Sequence, residues 1–404
     1  MKALFCHDHV FARDGTGKVY SSGQFSASIW DRYLEVFDTL TVAGRCSRLP
    51  EAEATAGLNL ASRPGVSFVF LPNLASIAGL MWRRIEAKRV LAEAMKEADA
   101  VIVRLPSEIG VLGAELARTL GKPAAVEAAG CAWDGLWHYG TWQAKAYAPL
   151  RTWQMRRELS KAAFALYVTR QFLQRRYPTR GHAVAVSDVE IGAIDPRVLE
   201  RRLLGIEQRS APVVLGLIGA IGNEIKGVRT VLEALASARD ALPSFEFRVL
   251  GPGDARPWQK LAARHGLADA VRFCGILPSG AAVFDWLDEV DIYLQPSFKE
   301  GLPRAMVEAM SRACPALGST AGGIPELISA ECLHRPGDAG RLARLLVRAA
   351  ADPDWQRDQA TRNFQHAGAY TGEVLDARRR AFWQDFANDV RHAKGGCRRN
   401  ALSP

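Results

Sequence analysis

The sequence lacks the paired cysteines of a zinc site or of a disulfide-stabilised domain. Its 404 residues include seven cysteines, and no two of them form a C-x-x-C pair. An odd number of widely spaced cysteines indicates reduced thiols in a cytosolic compartment. A structural zinc centre and a secreted disulfide scaffold are therefore poor interpretations of this chain.

Uninterrupted apolar stretches of membrane-spanning length are also missing. The first apolar run ends at His7, so it predicts a buried strand rather than a secretory signal peptide. The segment 64–82 carries no charge, but Pro72 and Asn73 interrupt it. A membrane span needs about 20 consecutive apolar residues. We therefore expect a strand followed by the start of a helix.

Acidic residues are outnumbered. The chain has 52 Lys and Arg against 43 Asp and Glu, a formal net charge of +9. Such an excess favours acidic partners: nucleic acid, an anionic membrane surface or phosphorylated substrates. Hydrophobic content of 48% and charged content of 24% are ordinary for a globular protein, and the length allows two domains.

Short apolar runs alternate with longer amphipathic segments along most of the chain. This alternation predicts an α/β protein with parallel sheets and helices on both faces. The charged segment 196–211 is interpreted as a linker between Rossmann-like domains at 1–195 and 212–370. A helix at about 371–390 either crosses back to the first domain or caps the second. The basic tail 391–404 is expected to be disordered.

One stretch concentrates chemically useful residues. Glu300 and Glu308 stand eight positions apart, the first in a loop and the second on a helix that Pro303 can open. Another helix is expected at 324–329, after a Gly-rich loop. Two helix N-termini at one crevice favour an anion, and ionised carboxylates accept hydrogen bonds from hydroxyl groups. These features are typical of a site for a sugar linked to a nucleotide diphosphate.

The block from about Val213 to Glu326 resembles the donor domain of retaining glycosyltransferases of family 4 (glycosyl transferases group 1). The matching pieces stand in the family's order: Gly219 with Lys226-Gly227, Val249-Leu250-Gly251-Pro252-Gly253, Phe273-Cys274-Gly275, the Glu300/Glu308 pair, and Gly322-Gly323-Ile324-Pro325-Glu326. The resemblance implies the GT-B fold, with two Rossmann-like domains whose parallel sheets face a central cleft. It points to bacterial exopolysaccharide, capsule and lipopolysaccharide glycosyltransferases.

The resemblance also implies roles for individual residues. Glu300 would contact the transferred sugar, Lys226 the departing diphosphate, and Glu308 the ribose hydroxyls. The other donor-binding positions that it implies are Gly219, Gly251, Gly275, Gly301, Leu302, Arg304, Gly322 and Gly323. Glu326 either takes part in binding or only caps its helix.

Two positions depart from the family pattern. Ala220 stands where relatives commonly carry a second phosphate-binding cation, and Arg304 and Arg229 are the candidates to replace it. Ala129 stands where relatives often carry a His after the fourth N-terminal strand. Because that imidazole is absent, the residue that assists on the acceptor side stays open.

Four residues are candidates for the acceptor side: Gly23 in the first loop, and Glu127, Asp134 and His138 after the strand at 124–127. The sequence His7-Asp8-His9 could suggest a metal site. A turn of short polar residues is the favoured interpretation, because no further cluster of ligands appears. We expect no metal.

Basic and aromatic residues are interleaved in the first half of the chain. One such segment begins Trp82-Arg83-Arg84. The other, between Leu150 and Gly181, has eight Lys or Arg with Glu158 as its only acid. Trp153 and Phe172 are interleaved with them, and Trp142 stands shortly before. This composition predicts peripheral contact with an anionic membrane. A solvated basic face is the alternative, and nucleic-acid binding is not expected.

The sequence thus predicts a retaining, metal-independent transferase. It would move a hexose-type sugar from a nucleotide diphosphate sugar, with UDP favoured over GDP, to a saccharide or lipid-linked saccharide in bacterial surface polysaccharide synthesis. The donor is a substrate, and no cofactor is expected. The enzyme would work in the cytoplasm, at the inner face of the cell membrane. Two alternatives stay open: a GT-B nucleotide-sugar epimerase, and a catalytically inert relative that binds nucleotide sugar.

Overall fold

The computed structural model of the protein describes residues 1–23, 25–48, 57–74, 83–138, 141–209 and 212–400. These residues form two compact units. The first unit contains Met1–Val168, Leu173–Val186 and the stretch from Asp376, and the second contains Thr169–Phe172 and Ser187–Leu375. Each unit is an α/β structure built on a largely parallel sheet, which confirms the predicted fold class.

The first unit has a nine-stranded sheet. Its strands are β1 (Lys2–Arg13), β2 (Val19–Ser21), β3 (Thr39–Arg48), β4 (Asn59–Leu60), β5 (Val66–Phe70), β6 (Ala100–Leu105), β7 (Ala124–Ala128), β8 (Phe164–Tyr167) and β9 (His182–Ala185). Seven of them run parallel in the order β5-β3-β1-β6-β7-β8-β9. The second half of β1 pairs antiparallel with β2, which pairs with β4. Strand β6 is buried along its whole length, as expected for a central parallel strand.

The helices described between the strands of this sheet are α1 (Asp31–Leu34), α2 (Arg84–Lys96), α3 (Glu108–Thr119), α4 (Ala132–Trp137), α5 (Trp142–Ser160) and α6 (Phe172–Arg176). Helix α5 begins where the Thr141 hydroxyl accepts a hydrogen bond from the backbone N–H of Ala144, a typical N-cap. The first part of the helix predicted after the 64–71 strand, residues 75–82 with Trp82, lies outside the described residues. No helix in the described part of the chain is long and apolar enough to cross a bilayer.

The second unit alternates helices and strands: α7 (Pro196–Glu207), β10 (Val213–Ile218), α8 (Val228–Ala238), β11 (Phe245–Leu250), α9 (Arg256–Arg264), β12 (Val271–Phe273), α10 (Ala281–Asp288), β13 (Ile292–Gln295), α11 (Arg304–Ser311), β14 (Ala316–Ser319), β15 (Leu333–His334), α12 (Ala339–Ala351) and α13 (Pro353–Ala367). All six strands are parallel, in the order β12-β11-β10-β13-β14-β15. The order reverses at β10, between β11 and β13. In such sheets ligands bind at the carboxyl ends of the strands, beside the reversal.

The linker predicted at 196–211 is wrong, because α7 occupies most of it. Asp195 caps this helix by accepting from the backbone N–H of Arg197, and Pro196 stands in its first turn. Val198 and Ile206 are buried in a cluster with Phe364. The charged residues of this segment therefore belong to an amphipathic helix of the second unit, and the unit begins at Ser187 rather than near 212.

A second correction concerns the helix expected at 324–329. Only a single 3-10 turn forms there, Ile324–Glu326. Short turns also occur in the first unit, where a 3-10 turn at Ala27–Trp30 is followed by the one-turn helix α1. Of the two helix N-termini that the sequence predicted beside the Glu300 loop, that of α11 forms as an α-helix and the other is only a 3-10 turn.

The last helix, α14 (Gly372–Asn400), belongs to the first unit from Asp376 onward. Its Trp383 ring packs edge-on against Tyr33 at 5.3 Å, and its Phe386 ring lies 6.3 Å from that of Phe37. The expected disorder from 391 is wrong as far as Asn400, because the backbone there is helical. Residues 401–404 lie outside the described chain.

Replacing Trp383 with Ala should therefore destabilise the first unit. The indole is fully buried. Its loss should lower the free energy of unfolding by about 3–5 kcal/mol, as for other buried Trp-to-Ala changes. Urea unfolding followed by circular dichroism measures the effect. Trp153→Ala is the control, because Trp153 is exposed and should cost about 0.5 kcal/mol or less. Equal costs would contradict the packing of α14 in this unit.

Candidate functional site

The carboxyl edge of the second unit's sheet brings Lys226 and Glu300 together. Lys226 ends the 3-10 turn that follows β10, and Glu300 lies in the loop that follows β13. The Lys226 Nζ lies 2.6 Å from Glu300 Oε1, and the two side chains are only 24% and 10% exposed. The fold thus places an ammonium and a carboxylate at the sheet reversal, where ligands bind in such folds.

Two glycines shape the space around the lysine. A Cβ on Gly219 would lie 2.8 Å from the Lys226 Cγ and Cδ atoms. The aliphatic part of the lysine side chain therefore packs directly over the backbone of this glycine. Gly251 has a φ of +149°, and a Cβ there would overlap the Gly219 carbonyl oxygen. The loops after β10 and β11 therefore meet backbone to backbone.

The next loops are joined in the same way. The backbone N–H of Gly323 donates to the carbonyl of Gly301 at 2.7 Å, and a Cβ on Gly322 would overlap the Glu300 carbonyl oxygen. On the other side, Gly251 N–H donates to the carbonyl of Gly275 at 2.7 Å. The predicted donor-binding glycines thus hold the loop that carries Glu300 against its neighbours.

Helix α11 begins directly after this loop, with Pro303 at its N-cap. Among the described residues, no backbone acceptor receives the N–H groups of Gly301 or Leu302. Free N–H groups at a helix start favour an anion. Glu308 lies on the second turn of α11 and is half-buried, and this burial raises the pKa of its carboxyl while the Arg304 charge lowers it.

Each of the two candidates for a second cation has another partner in this structure. Arg229 pairs with Glu224, with 2.9 Å between Nη2 and Oε1. Arg304 is exposed, and its Nη1 lies 3.3 Å from the carbonyl oxygen of Glu190. Lys226 is therefore the cation that this structure pairs with Glu300.

Glu326 does not cap a helix of its own. Its carboxylate accepts hydrogen bonds from the backbone N–H groups of Arg170, Gln171 and Phe172, at 2.5, 3.0 and 2.5 Å. Those three residues are in the second unit. The expectation that Glu326 caps its own helix is therefore wrong, because its carboxylate caps a segment about 155 residues away. Its part in donor binding stays a prediction.

Two polar residues beside Glu300 were missed by the sequence-based prediction. Ser297 Oγ and Gln295 Nε2 both donate to Glu300 Oε1, at 2.7 and 2.9 Å. Gln295 is the last residue of the buried strand β13. A glutamine at the end of an otherwise apolar run, followed by Pro296 and a serine, is the signal that could have identified them.

The acceptor-side candidates in the first unit are occupied by structural contacts. Glu127 is 2% exposed, and its carboxylate accepts from the Tyr33 hydroxyl at 2.8 Å and the Arg104 guanidinium at 2.7 Å. A buried carboxylate with both oxygens bonded supports the sheet and is not open to a sugar. The expectation for Glu127 is therefore corrected.

Asp134 accepts from Arg176 Nη1 at 3.1 and 3.2 Å, and the imidazole of His138 bonds to the Asp134 carbonyl at 3.2 Å. Gly23 has a φ of +135°, which favours glycine, and its carbonyl accepts from Asn59 Nδ2 at 3.0 Å. These contacts give Gly23, Asp134 and His138 a structural role. Their role in binding an acceptor stays a prediction.

The segment His7-Asp8-His9 lies within strand β1, so the predicted polar turn is wrong. The Asp8 carboxylate accepts from the backbone N–H groups of Glu108 and Ile109, at 2.5 and 3.0 Å, and so caps α3. Burial, followed by the positive charge of Arg104, lowers the pKa of His7 to about 3. No group of three or more possible metal ligands occurs in the described ranges.

Comparison with known proteins gives matches to sugar transferases. A sequence model of the family described as glycosyl transferases group 1 matches residues 212–352. Protein CapJ of Staphylococcus aureus is 26% identical over 398 residues, which cover 98% of this chain and 99% of CapJ. The 2-deoxystreptamine glucosyltransferase of Streptomyces kanamyceticus is 30% identical over 63% of this chain and 69% of its own length.

A shorter match is to the amylovoran biosynthesis glycosyltransferase AmsK of Erwinia amylovora, 36% identical over 31% of this chain and 33% of AmsK. Among solved structures, HepE of Anabaena in complex with UDP has a TM-score of 0.63 at 17% identity, over 93% of this chain and 98% of HepE. HepE has also been solved with UDP-glucose. The structural likeness confirms the predicted GT-B fold.

Substitutions at the two glycines should separate stability from ligand binding. Gly251→Ala places a Cβ against backbone at a φ that favours glycine, so it should cost more than about 1 kcal/mol. Gly219→Ala meets only the flexible side chain of Lys226. It should leave the unfolding temperature nearly unchanged but weaken binding of a nucleoside diphosphate, measured by calorimetry. If Gly219→Ala bound the nucleoside diphosphate as tightly as the unaltered protein, the described packing of the Lys226 side chain over Gly219 would be contradicted.

Proposed function

The chain belongs to the glycosyl transferases group 1 family, and from this membership we propose a specific reaction. The enzyme transfers a hexose-type sugar from a nucleotide diphosphate sugar to a saccharide or lipid-linked saccharide acceptor, with retention of configuration. The setting proposed is synthesis of a bacterial surface polysaccharide.

The observation that carries the proposal is the ion pair between Lys226 and Glu300 at 2.6 Å. In the reaction, the bond between the sugar's anomeric carbon and the diphosphate oxygen breaks, and negative charge grows on the diphosphate. Lys226 and the N-terminus of α11 stabilise that charge. Glu300 accepts hydrogen bonds from the sugar's hydroxyls, and Glu308 from those of the ribose.

Positive charge at this edge comes from the protein itself. The lysine and the helix N-terminus are the kind of groups that offset a departing diphosphate without a metal ion. We therefore propose that transfer needs no added divalent cation. The acceptor hydroxyl enters on the face that the diphosphate leaves and gives its proton to the departing diphosphate oxygen as the new glycosidic bond forms. This route retains the configuration without a protein nucleophile.

UDP is the favoured nucleotide and GDP the next. The support for UDP is that HepE, whose fold this chain shares, has been solved with UDP and with UDP-glucose. The support for a polysaccharide product is the name of the relative AmsK, an amylovoran biosynthesis glycosyltransferase.

Transfer assays with Glu300→Gln and Lys226→Ala test the proposal. Each variant should lose about 100-fold or more in kcat with a UDP-sugar donor, because each loses a contact to a reacting group. Glu300→Gln should still bind free UDP, whereas Lys226→Ala should bind it more weakly. The matched control is Lys260→Ala, an exposed lysine on α9 that should leave transfer unchanged. Full transfer by Glu300→Gln would remove that residue from the mechanism.

We further propose that the enzyme works while bound to the inner face of the cell membrane. The support is the exposed side of helix α5. Trp142 and Trp153 on this side are 74% and 57% exposed, and Leu150 between them is 46% exposed. The three residues follow a spacing that puts them on one side of a helix. Exposed tryptophans together with basic residues suit a membrane interface.

Cations accompany the aromatic residues of this region. Lys145 Nζ lies 5.7 Å above the Trp137 ring, and the Arg157 guanidinium 5.5 Å above the Trp153 ring. Beside Trp153, a cavity of about 580 Å³ is lined by Arg156, Arg157, Ser160, Arg175, Arg176 and Pro178. The phosphates of anionic lipids match this charge. The complementarity favours a membrane surface over the alternative of a merely solvated basic face.

Vesicle sedimentation tests this surface. The protein should bind phosphatidylglycerol vesicles more tightly than phosphatidylcholine vesicles. Trp142→Ala combined with Trp153→Ala should weaken binding about tenfold or more, because less apolar area enters the interface. Arg156→Gln with Arg157→Gln should remove about 2 kcal/mol, roughly 1 kcal/mol for each cation.

The control for this experiment lies in the second unit. Ile276→Ala removes an exposed apolar side chain, and Lys260→Gln with Arg264→Gln removes two exposed cations. Both changes should leave vesicle binding intact. If vesicle binding fell equally in the control and α5 variants, the binding would depend on the net charge of the protein and not on the α5 surface.

A further inference from the structure

Glu300 has two neutral hydrogen-bond donors in addition to Lys226. Ser297 Oγ lies 2.7 Å and Gln295 Nε2 lies 2.9 Å from Oε1, the same oxygen that receives the lysine. We propose that Gln295 and Ser297 are positioning residues of the transfer reaction, which keep the Glu300 carboxylate in place when Lys226 turns to the diphosphate. This inference rests on the function proposed above.

The direction of each hydrogen bond in this group is determined by its neighbours. The Tyr293 hydroxyl donates to Gln295 Oε1 at 2.7 Å, which turns the amide nitrogen toward Glu300. That nitrogen also donates to Ser297 Oγ at 2.9 Å, so the hydroxyl proton of Ser297 points to the carboxylate. The chain runs one way, from the tyrosine through the glutamine to Glu300.

Burial makes the arrangement stiff. Tyr293, Gln295 and Ser297 are at most 1% exposed. Buried polar groups are costly unless all of them are hydrogen-bonded, so this set is stable only as a complete network. Burial, followed by the negative charge of Glu300, raises the pKa of Tyr293 well above its usual value of 10, so its hydroxyl remains a donor.

The backbone of the loop is held as well. Ser319 Oγ donates to the carbonyl of Ser297 at 2.5 Å, and the N–H of Phe298 donates to the carbonyl of Ile225 at 2.8 Å. Ser297 therefore has little freedom to follow Glu300 if the carboxylate moves. It acts as a fixed donor, which is what positioning of a substrate-binding group requires.

The two carboxylate oxygens of Glu300 differ in their hydrogen bonds. Oε1 accepts hydrogen bonds from Lys226, Ser297 and Gln295, while no residue in the described part of the chain donates to Oε2. When a diphosphate draws the lysine away, two donors remain on Oε1. The carboxylate then keeps its orientation, and Oε2 stays available to a hydroxyl of the sugar.

Steady-state kinetics with Gln295→Met and Ser297→Ala test the inference. Each change removes one hydrogen bond to Glu300 with little change of shape, and Gln295→Met also removes the bonds of Gln295 to Tyr293 and Ser297. We expect kcat to fall about tenfold in Ser297→Ala, the usual effect of losing one hydrogen bond to a charged group, and at least as much in Gln295→Met. KM for the donor and affinity for free UDP should change less than about twofold, because neither variant alters the contacts of Lys226 or α11 to the nucleotide.

A double-mutant cycle separates positioning from general destabilisation. Tyr293→Phe alone should lower kcat, because it frees the Gln295 amide to rotate. In the Gln295→Met background the same change should have no further effect on kcat. The matched control is Ser311→Ala, which removes a buried hydroxyl whose bond, 2.7 Å to the Glu308 carbonyl, does not involve Glu300. It should leave kcat unchanged.

The outcomes distinguish this inference from the proposed function. Transfer by the unaltered protein, with unchanged kcat in Gln295→Met and Ser297→Ala, would overturn the positioning role alone. Additive effects of Tyr293→Phe and Gln295→Met would also overturn it. Absence of transfer by the unaltered protein with every nucleotide sugar would overturn both together.

Discussion

The ion pair between Lys226 and Glu300 is the interaction on which the rest of the candidate site depends. The two residues are 74 positions apart in sequence, yet their charged atoms lie 2.6 Å apart. Partly buried charges are costly unless they are paired and hydrogen-bonded. Here Gln295 and Ser297 complete the pairing. The same partial burial that makes the pair costly makes its charges effective toward a ligand, since fewer water molecules screen them.

Close approach of backbone loops is the constraint that brings these charges together. A Cβ atom on Gly251 or Gly322 would overlap the backbone of a neighbouring loop, and one on Gly219 would press on the side chain of Lys226. The glycines of the family pattern therefore work mainly as spacers in this structure. They let four loops at one sheet edge meet, and that meeting sets the distance between the lysine and the carboxylate.

The first unit uses its charges differently. Arg104 and Glu127 form a buried pair that also includes Tyr33, and Trp383 of α14 packs on that tyrosine. These residues join the sheet to the last helix. Lys145, Arg156 and Arg157 of α5, in contrast, are exposed, as are Trp142 and Trp153 of the same helix. Charged residues beside aromatic rings thus stabilise the interior of this unit where they are buried. Where they are exposed, on α5, they form the surface that we propose for membrane contact.

The sequence by itself determined the α/β class and the alternation of strands and helices in the second unit, and it pointed to Lys226 and Glu300, which the structure pairs. It could do so because apolar periodicity and turn residues act locally, and because Lys226, Glu300 and Glu308 stand in an ordered set of motifs. Tertiary structure alone decided that 196–207 is a helix, that Glu127 is buried, that Glu326 caps residues 170–172, and that Gln295 and Ser297 hold Glu300. The reason is physical. The sequence does not distinguish a polar residue that faces solvent from one that is buried against a partner, because the partner comes from a distant segment and is brought close only by packing.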